Sequence, residues 1–388
     1  MKSETILICG GSIVGLATAL GLARAGLKAV LLGPKKALEP VVADRFHPRV
    51  YALSPASRRF LTELGVWGLM DEARITLVEA MEVYGDASGK VSLNAWQAAQ
   101  PAMAWIVESS ELERALRQAV QVLGIAWHTE RFQALAPGGA LTDTGRELPA
   151  VLVVGADGAP SAVRAAADIA FTSAAYGDTG VVTHLACEQP HLHTARQWFT
   201  NDGVVALLPM PDTADGPQVS LVWSMPAPLA NELMALPGEE RDASLRVRLQ
   251  SVTGGVLGSL TVRSPVLGFP LFLEQSDMVA PGVALVGDAA HRVHPLAGQG
   301  LNLGLGDAQQ LIEILRTRPD YRRMGDLALL RSYRRRRAEH VAAMGLATDG
   351  LHRLFALRST PAVMLRNAGM HMVDRLPFIK RRLIQSAS

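Results

Sequence analysis

The chain has 388 residues, and its 38 Lys and Arg against 36 Asp and Glu give a formal net charge of +2, which argues against a dedicated nucleic-acid binder. The length exceeds what one compact core usually serves, so either two lobes or one enlarged α/β domain is expected. Two cysteines, Cys9 and Cys187, make no disulfide framework and favour a reducing compartment.

The first predicted elements form a βαβ unit. A strand over Thr5–Cys9 leads into the glycine-rich loop Gly10–Gly15, a helix over Leu16–Ala25 and a second strand over Lys28–Leu32. A G-x-G-x-x-G-like loop at this place puts a pyrophosphate against a helix N-terminus. The alternative is a purely structural strand-to-helix turn.

Two residues depart from the dinucleotide-binding pattern. Ser12 stands where a glycine usually lets the backbone approach phosphate, and Gly33 stands where an acidic residue usually holds a ribose hydroxyl. Both departures predict weaker binding of a nucleotide. Further along, Arg49 precedes a helix that starts near Pro55, and its guanidinium can pair with phosphate oxygens. A surface arginine is the alternative for Arg49.

The next elements alternate between strands and helices. The pattern predicts a capping box from Ser110 to Glu113 at the start of one helix. The predicted strands are Ala80–Tyr84, Val91–Ala95, Ala104–Val107 and Gly124–His128, with a helix over Ser109–Leu123.

A second strand-to-helix junction follows the apolar run Val151–Val154. It carries Asp157 and Gly158 and continues to Arg164. Ligands bind at such carboxyl ends of strands in open parallel sheets. Two junctions of this kind, together with the N-terminal loop, indicate one extended dinucleotide-type ligand.

From Tyr176 to Pro270 the chain reads as β-strands joined by Asp, Pro and Gly turns, which predicts a second sheet inserted into the nucleotide fold and covering it. His184, His191 and His193 lie near Cys187, but their spacing does not fit a metal site, and we expect scattered exposed histidines. The predicted strands are Val181–Ala186, Val204–Pro209, Val219–Met225 and Leu260–Val266, with helices near Ala227–Leu236 and Arg241–Ser251.

The stretch Ala284–Asp307 carries the densest polar signal. A buried strand ends at Gly287-Asp288, and a loop with Pro295 enters a helix. Asp288 can accept hydrogen bonds from hydroxyls, while backbone N–H groups near Gly298–Asn302 face an electron-rich group. The alternative is a tight turn whose aspartate caps the helix.

The region from Asp307 to the end is helical and basic. It contains the arginine run Arg334–Arg337 and an amphipathic stretch over Leu351–Ile384. This stretch either lies on an anionic membrane surface or packs on the domain with a solvated charged face. No segment has the roughly 18 uninterrupted apolar residues of a membrane span, so we expect a cytoplasmic protein, soluble or peripheral to the inner face of the membrane.

These motifs, in order along nearly the whole chain, resemble the FAD-dependent aromatic hydroxylases of the p-hydroxybenzoate hydroxylase type. Within that group the chain is similar to the ubiquinone-biosynthesis hydroxylases. The motifs that carry the resemblance are Gly10–Gly15, Arg49 before A-L-S, G-A-D-G-x-x-S-x-V-R at Gly155–Arg164, G-V-V-A-L-L-P at Gly203–Pro209, F-P-L at Phe269–Leu271 and G-D-A-A-H-x-x-H-P-x-A-G-Q-G-L-N-L-G-L-x-D at Gly287–Asp307.

The resemblance implies an α/β fold with a Rossmann-like FAD-binding domain, an inserted β-sheet substrate domain and a C-terminal helical region. We expect the FAD and NAD(P)H-binding domain at residues 1–175 and 271–330, the substrate-covering sheet at 176–270 and the helical region at 331–388. The implied cofactor-binding residues are Gly10, Ser12, Gly15, Arg49, Asp157, Gly158, Arg164, Gly287, Asp288, Gly298, Gly300, Leu301 and Asn302, and the implied flavin-ring residues are Pro295, Gly298 and Gln299.

The implied reaction is reduction of FAD by NADPH or NADH, addition of O2 at flavin C4a and transfer of a hydroxyl to the ring of a polyprenyl phenol. No metal is expected. The partners expected are the polyprenylated phenol, O2 and either a membrane surface or other quinone-biosynthesis proteins. Two alternatives stay open: a soluble-substrate hydroxylase or flavin reductase of the same fold, and an FAD-poor, non-catalytic component of a quinone-biosynthesis assembly.

Overall fold

A computed structural model describes residues 4–35, 37, 42, 44–85, 89–293, 299–356 and 360–386. The α-helices of this part of the chain are α1 (Ile13–Arg24), α2 (Pro55–Glu63), α3 (Ser109–Val122), α4 (Ala162–Ala166), α5 (Ala227–Ala235), α6 (Gly238–Thr253), α7 (Gln299–Arg316), α8 (Leu327–Ala356), α9 (Thr360–Arg375) and α10 (Pro377–Ser386).

The strands fall into four sheets. In chain order they are β1 (Thr5–Cys9), β2 (Lys28–Leu32), β3 (Val50–Leu53), β4 (Ile75–Val78), β5 (Ala80–Tyr84), β6 (Lys90–Asn94), β7 (Ala104–Glu108), β8 (Ala126–His128), β9 (Phe132–Ala136), β10 (Gly139–Thr142), β11 (Glu147–Pro149), β12 (Leu152–Gly155), β13 (Phe171–Cys187), β14 (Thr194–Thr200), β15 (Gly203–Thr213), β16 (Gly216–Pro226), β17 (Leu260–Val262), β18 (Leu267–Ser276), β19 (Val279–Ala280), β20 (Val283–Leu285) and β21 (His291–Arg292).

The first sheet is six-stranded, in the order β19-β20-β12-β1-β2-β8, and all its pairings are parallel except that of β19 with β20. From Ile6 to Cys9, its central strand β1 is a continuous buried apolar run, as expected for a strand covered on both faces. Helix α1 is rich in Ala and Leu and mostly buried, and it packs against α7 and α3. The main core therefore forms around the elements that carry the glycine motifs.

The second sheet is nine-stranded, in the order β21-β18-β13-β16-β15-β14-β5-β6, with β17 paired to β13. One face of this sheet packs with α5 and α6 around a separate core. The α/β class, the second sheet and the C-terminal helices are confirmed. The division into domains stays a prediction, and β5 and β6 join this sheet from the N-terminal part of the chain.

Several sequence predictions are wrong. Helix α3 begins at Ser109 with Glu108 at the N-cap position, so Ser110 lies inside the helix and cannot form a capping box with Glu113. His184 and His191 are buried, not exposed, because both side chains turn inward and donate toward backbone carbonyl oxygens. The single strand expected over Leu260–Val266 also ends earlier, at Val262, and β18 starts at Leu267.

Candidate cofactor site

The glycine loop between β1 and α1 makes very close backbone contacts. A Cβ on Gly10, whose φ is +130°, would lie 2.0 Å from the carbonyl oxygen of Ala156 at the end of β12. A Cβ on Gly15 would lie 2.1 Å from the Gly10 oxygen. Both glycines are therefore required to bring two strand ends and a helix N-terminus together.

Ser12 occupies the N-cap of α1 in ordinary extended backbone, and its exposed side chain makes no capping hydrogen bond. The backbone N–H groups of the first helical turn therefore remain available to an anion. The hydroxymethyl group of Ser12 stands at that same helix end, so an anion has to share this space with it.

The end of β2 differs from a ribose-binding strand in more than the missing carboxylate. Gly33 has φ +147°, a conformation that side chains rarely adopt, and its carbonyl accepts a hydrogen bond of 2.9 Å from the indole N–H of Trp127. The Lys35 ammonium lies 4.8 Å from the centre of the Trp127 ring. The end of β2 therefore lies beside an ammonium group and an indole ring, whereas a dinucleotide-binding strand usually ends in a carboxylate that binds the ribose.

The turn after β20 lies directly against α1. Gly287 has φ +63°, and a Cβ there would approach the Val14 side chain to 3.3 Å. A Cβ on Gly304 of α7 would lie 3.1 Å from the Gly287 Cα. Asp288 follows with an exposed side chain at the carboxyl end of the strand, one residue after the Gly287 that packs against α1.

A buried carboxylate holds this turn in place. Asp307 of α7 is fully buried, and its Oδ2 accepts hydrogen bonds from the Gly287 N–H at 2.9 Å and from His291 Nε2 at 2.7 Å. Its Oδ1 lies 2.6 Å from Arg337 Nε of α8, and the guanidinium also donates to the Leu303 carbonyl. These contacts outweigh the effect of burial and lower the pKa of Asp307.

Arg49 and Asp288 converge on one aromatic residue that sequence reasoning missed. The Arg49 guanidinium lies 5.2 Å from the centre of the Tyr51 ring. Burial raises the pKa of Tyr51, and the nearby Asp288 carboxylate raises it further while Arg49 lowers it. The arrangement brings a cation, a phenol and a carboxylate together. The sequence did offer a signal for this contact. Arg49 and Tyr51 are two residues apart at the start of β3, and side chains two residues apart in an extended chain point to the same side.

Helix α7 starts beside β3 and α2. The Asn302 Oδ1 accepts hydrogen bonds from the Ser54 N–H at 2.9 Å and from the Ser57 hydroxyl at 2.7 Å, and its Nδ2 donates to the Ala52 carbonyl at 2.9 Å. The Asn302 amide is thus used to position the helix, although the sequence suggested a ligand contact. Gln299 accepts a longer hydrogen bond from the same amide.

The other predicted residues at this helix start separate into open and buried positions. Among the described residues, a Cβ built on Gly300 meets no atom within 4 Å, whereas Leu301 is buried in the main core. The described part of the chain therefore leaves the backbone at Gly300 open to a ligand, and Leu301 fixes the helix start by packing in the core. Pro295 and Gly298 lie outside the described residues.

At the second strand-to-helix junction, after β12, the polar side chains mainly form hydrogen bonds with other groups of the protein. The carboxylate of Asp157 accepts hydrogen bonds from the Ser161 hydroxyl and from the Ala162 and Val163 N–H groups, so it caps α4. Arg164 is buried and donates to the Ala289 carbonyl at 3.1 Å. It therefore ties this junction to the turn that carries Asp288. Gly158, with φ +79°, faces open space.

The described residues contain no group of three or more His, Cys, Asp or Glu side chains that could hold a metal ion. Both cysteines are buried free thiols, and burial raises their pKa values, that of Cys187 to about 12. The site thus offers backbone N–H groups, one exposed carboxylate and one arginine. This set suits a ligand with phosphate and hydroxyl groups.

Comparison with known proteins agrees with this chemistry. The FAD binding domain family matches residues 3–347. The ubiquinone hydroxylase UbiL of Rhodospirillum rubrum is 33% identical over all of this chain and 90% of its own length. The 3-demethoxyubiquinol 3-hydroxylase of Escherichia coli is 31% identical over 98% of this chain and 97% of its own. The crystal structure of pqsL, a probable FAD-dependent monooxygenase from Pseudomonas aeruginosa, is 25% identical, has a TM-score of 0.76 and covers 95% of this chain and 99% of its own.

The residues present fit an FAD molecule. The cradle formed by Gly10 and Gly15 leaves the N-terminus of α1 accessible to a pyrophosphate. The exposed Asp288 follows the Gly287 that packs against this helix, so hydroxyl groups can donate to its carboxylate. The poorest fit is at Gly33, where no side chain is present to hold a ribose.

Proposed function

Because the chain belongs to the ubiquinone-biosynthesis hydroxylase family of FAD-dependent monooxygenases, we propose that it hydroxylates the aromatic ring of a polyprenyl phenol, with NAD(P)H as electron donor and O2 as oxidant. The observation that carries the proposal is that Arg49 and Asp288 both lie beside Tyr51, while Gly287, the residue before Asp288, packs against Val14 in the first turn of α1. Bound FAD supplies the electron transfer and the activation of O2.

The protein's own residues bind and orient the FAD. In this proposal the first-turn N–H groups of α1 and the Arg49 guanidinium hold the pyrophosphate, and Asp288 accepts hydrogen bonds from the ribityl hydroxyls. The N-terminal turn of α7 at Gly300 donates N–H groups toward the flavin ring and favours negative charge there. Pro295, Gly298 and Gln299 are proposed to shape the loop at the ring.

An apolar wall favours an apolar substrate over a soluble, charged one. Leu208 and Met210 of β15 pack in one cluster with Val50 and Ala52 of β3, and Ala52 is the residue that receives the Asn302 amide. The face of the second sheet nearest to the start of α7 is thus lined by aliphatic side chains, which also exclude water from the reacting groups.

The decisive experiment measures coupled turnover. Purified protein with excess FAD is given NADPH, 18O2 and 2-geranylphenol. We expect the phenol to stimulate NADPH oxidation and a product that gains one 18O atom by mass spectrometry. NADPH oxidation without oxygenated product would instead support a flavin reductase. The absence of NADPH oxidation would support a non-catalytic component.

The Gly33 corner supports a second expectation, that FAD is held loosely. One missing hydrogen bond to a charged group costs about 1.5–3 kcal/mol, or roughly a ten- to hundredfold weaker affinity. Purified protein should therefore lose FAD on desalting and regain visible flavin absorbance and thermal stability on reconstitution. If excess FAD restores neither the flavin absorbance nor the thermal stability, FAD binding is refuted.

We further propose that the C-terminal helices α9 and α10 contact an anionic membrane surface. Among the helices of the described residues, none is both long and apolar enough to cross a bilayer. At the junction of α9 and α10, however, Met372 and Phe378 are 60% and 73% exposed, and Arg375, Arg381 and Arg382 are exposed beside them in sequence. Exposed apolar side chains among cations suit the boundary of an anionic bilayer.

Vesicle sedimentation tests this surface. The protein should bind vesicles containing phosphatidylglycerol more tightly than vesicles of phosphatidylcholine alone, and F378A with R381Q and R382Q should remove the difference. The matched control is R246Q with V247A, which changes an exposed arginine and an exposed valine on α6. Equal loss in both variants would overturn the assignment.

A further inference from the structure

Two buried polar side chains face each other on adjacent strands of the second sheet. His184 of β13 lies directly opposite Ser220 of β16 in antiparallel register, and the two residues are 3% and 0% exposed. The His184 N–H donates to Ser264 Oγ and its carbonyl accepts from the Arg263 N–H, so its backbone turns away from β16. His184 and Ser220 therefore form a non-hydrogen-bonded pair, the arrangement in which facing side chains come closest.

The tautomer of His184 follows from its one hydrogen bond. Its Nε2 lies 2.7 Å from the His47 carbonyl oxygen, which can only accept, so Nε2 carries the proton. Burial lowers the pKa of His184, which keeps the ring neutral. Its Nδ1 is consequently an acceptor, and neither this atom nor Ser220 Oγ has a hydrogen-bond partner among the described residues.

The pair lies on the side of the sheet that faces the candidate cofactor site. Leu208 is the residue opposite Ser220 on β15, and it packs in one cluster with Ala52, whose carbonyl receives the Asn302 amide at the start of α7. The His184 ring also meets Phe46 of the segment before β3 edge-on, with ring centres 6.4 Å apart. The two unsatisfied atoms therefore stand beside the apolar side chains of Leu208 and Phe46.

Leaving two buried polar atoms unsatisfied is unfavourable, so the pair calls for a third polar group. A single hydroxyl group can satisfy the hydrogen-bonding capacity of both atoms, because it can donate to His184 Nδ1 and accept from the Ser220 O–H. A charged group does not suit this place, since Leu208 and Phe46 beside the pair are apolar and the histidine is neutral.

We propose that His184 Nδ1 and Ser220 Oγ bind the phenolic hydroxyl of the substrate. The phenol donates to Nδ1 and accepts from Ser220, so the pair sets the orientation of the ring relative to the start of α7. This assignment rests on the proposed aromatic substrate. It adds the polar contact that selects a ring with a free hydroxyl group over a ring that lacks this hydroxyl.

The experiment compares 2-geranylphenol with its methyl ether, which keeps the ring and the geranyl tail but cannot donate a hydrogen bond. Dissociation constants are measured from the change in flavin absorbance of the FAD-reconstituted protein. We expect the parent to prefer the phenol at least about tenfold. S220A and H184Q should reduce this preference to about twofold or less, because H184Q keeps a donor for the His47 carbonyl but loses the acceptor at Nδ1.

Two further variants separate recognition from stability. H184N retains an acceptor near Nδ1 and should restore most of the preference lost in H184Q. T183V removes a buried hydroxyl on the opposite face of β13, which donates to the Ser264 carbonyl at 2.8 Å, and should lower the melting temperature while keeping the preference.

The assignment is overturned if S220A and H184Q both keep the parent's preference, as they would if the pair held only a water molecule. It is also overturned if the parent binds both compounds equally. Turnover of the phenol in either case would leave the proposed hydroxylase function standing, because that function is tested by oxygenated product and not by this preference.

Discussion

At the scale of single residues, Asp288 and Ser12 should have opposite effects on flavin affinity. Asp288→Asn removes a charged acceptor from an exposed position, so FAD should bind about ten- to a hundredfold more weakly without loss of fold stability. Ser12→Gly removes a side chain that makes no capping hydrogen bond and should tighten FAD binding. Titration of apoprotein with FAD, followed by fluorescence, measures both.

Asp168→Asn is a suitable control, since the Asp168 side chain is also exposed but lies between α4 and β13, outside the site elements. An Asp288→Asn protein that retains FAD as well as the parent would show that the turn after β20 does not anchor the cofactor. An unchanged affinity of Ser12→Gly would show that the hydroxymethyl group is accommodated without cost.

Asp307 should couple stability to flavin binding. Asp307→Asn leaves the Arg337 guanidinium buried beside a neutral amide, so the free energy of unfolding should fall by about 3 kcal/mol. It also weakens the hold on the Gly287 N–H, so FAD affinity should fall as well. Glu111→Gln is the matched control, because Glu111 is also buried and paired with an arginine but lies on α3. It should lose stability and keep the FAD affinity.

The same carboxylate predicts a pH dependence. Because the pKa of Asp307 is lowered in the folded protein, its contribution is complete above the unfolded value of about 3.9 and is lost as the pH falls through the folded value. Urea unfolding between pH 3 and pH 7 should therefore show a smaller acid destabilisation in Asp307→Asn than in the parent. Parallel pH profiles would contradict the assignment.

At the scale of elements, Asn302 joins α7 to two other segments. Asn302→Ala removes hydrogen bonds to Ser54, Ser57 and Ala52 and leaves a buried serine pair without its acceptor, so we expect a loss of about 2 kcal/mol in unfolding free energy. Because α7 starts at the proposed flavin ring, turnover should fall together with stability. Chemical denaturation and product formation report the two effects. Full turnover in a destabilised variant would limit Asn302 to a structural role.

The elements of the first sheet were largely predictable because their strands are short, continuous apolar runs bounded by glycines. Strands β1 and β2 of this sheet have the predicted bounds, as does β5 of the second sheet, whereas β13 of the second sheet begins ten residues before the predicted Val181, at Phe171. The exposed residues at the start of β13 carry no apolar alternation, so their pairing with β18 depends on tertiary contacts.

The candidate site was predictable at its glycines and less so at its polar side chains. Gly10, Gly15 and Gly287 have backbone contacts or φ values that only glycine accepts, and such constraints are visible as sequence motifs. The roles of Asp157 and Arg164 depend on which neighbours take their hydrogen bonds, and that depends on distant strands. Tyr51 and Asp307 were missed for the same reason.

At the scale of the whole molecule, the C-terminal helices close an open sheet edge. Strand β6 ends the second sheet, and its neighbourhood is covered by α9 and α10. The Asn367 side chain accepts a hydrogen bond from the Gly89 N–H at 2.7 Å, and Asp374 accepts one from the Ser92 N–H at 2.9 Å. Val91 and Leu93 pack with Ile384 of α10. The surface proposed to face a membrane and the surface that covers the sheet edge therefore belong to the same helices.

A variant that ends at Ala356 should consequently lose more than membrane binding. Without α9 and α10, the N–H groups of β6 and the apolar side chains Val91 and Leu93 become exposed, and an uncovered edge strand pairs readily with other chains. We expect larger species than the parent by light scattering and a lower melting temperature. The control is N367A with D374A, which removes the two edge contacts but keeps the apolar cover, and which should lower the melting temperature without association. A truncated protein with the parent's size and stability would show that the edge does not depend on these helices.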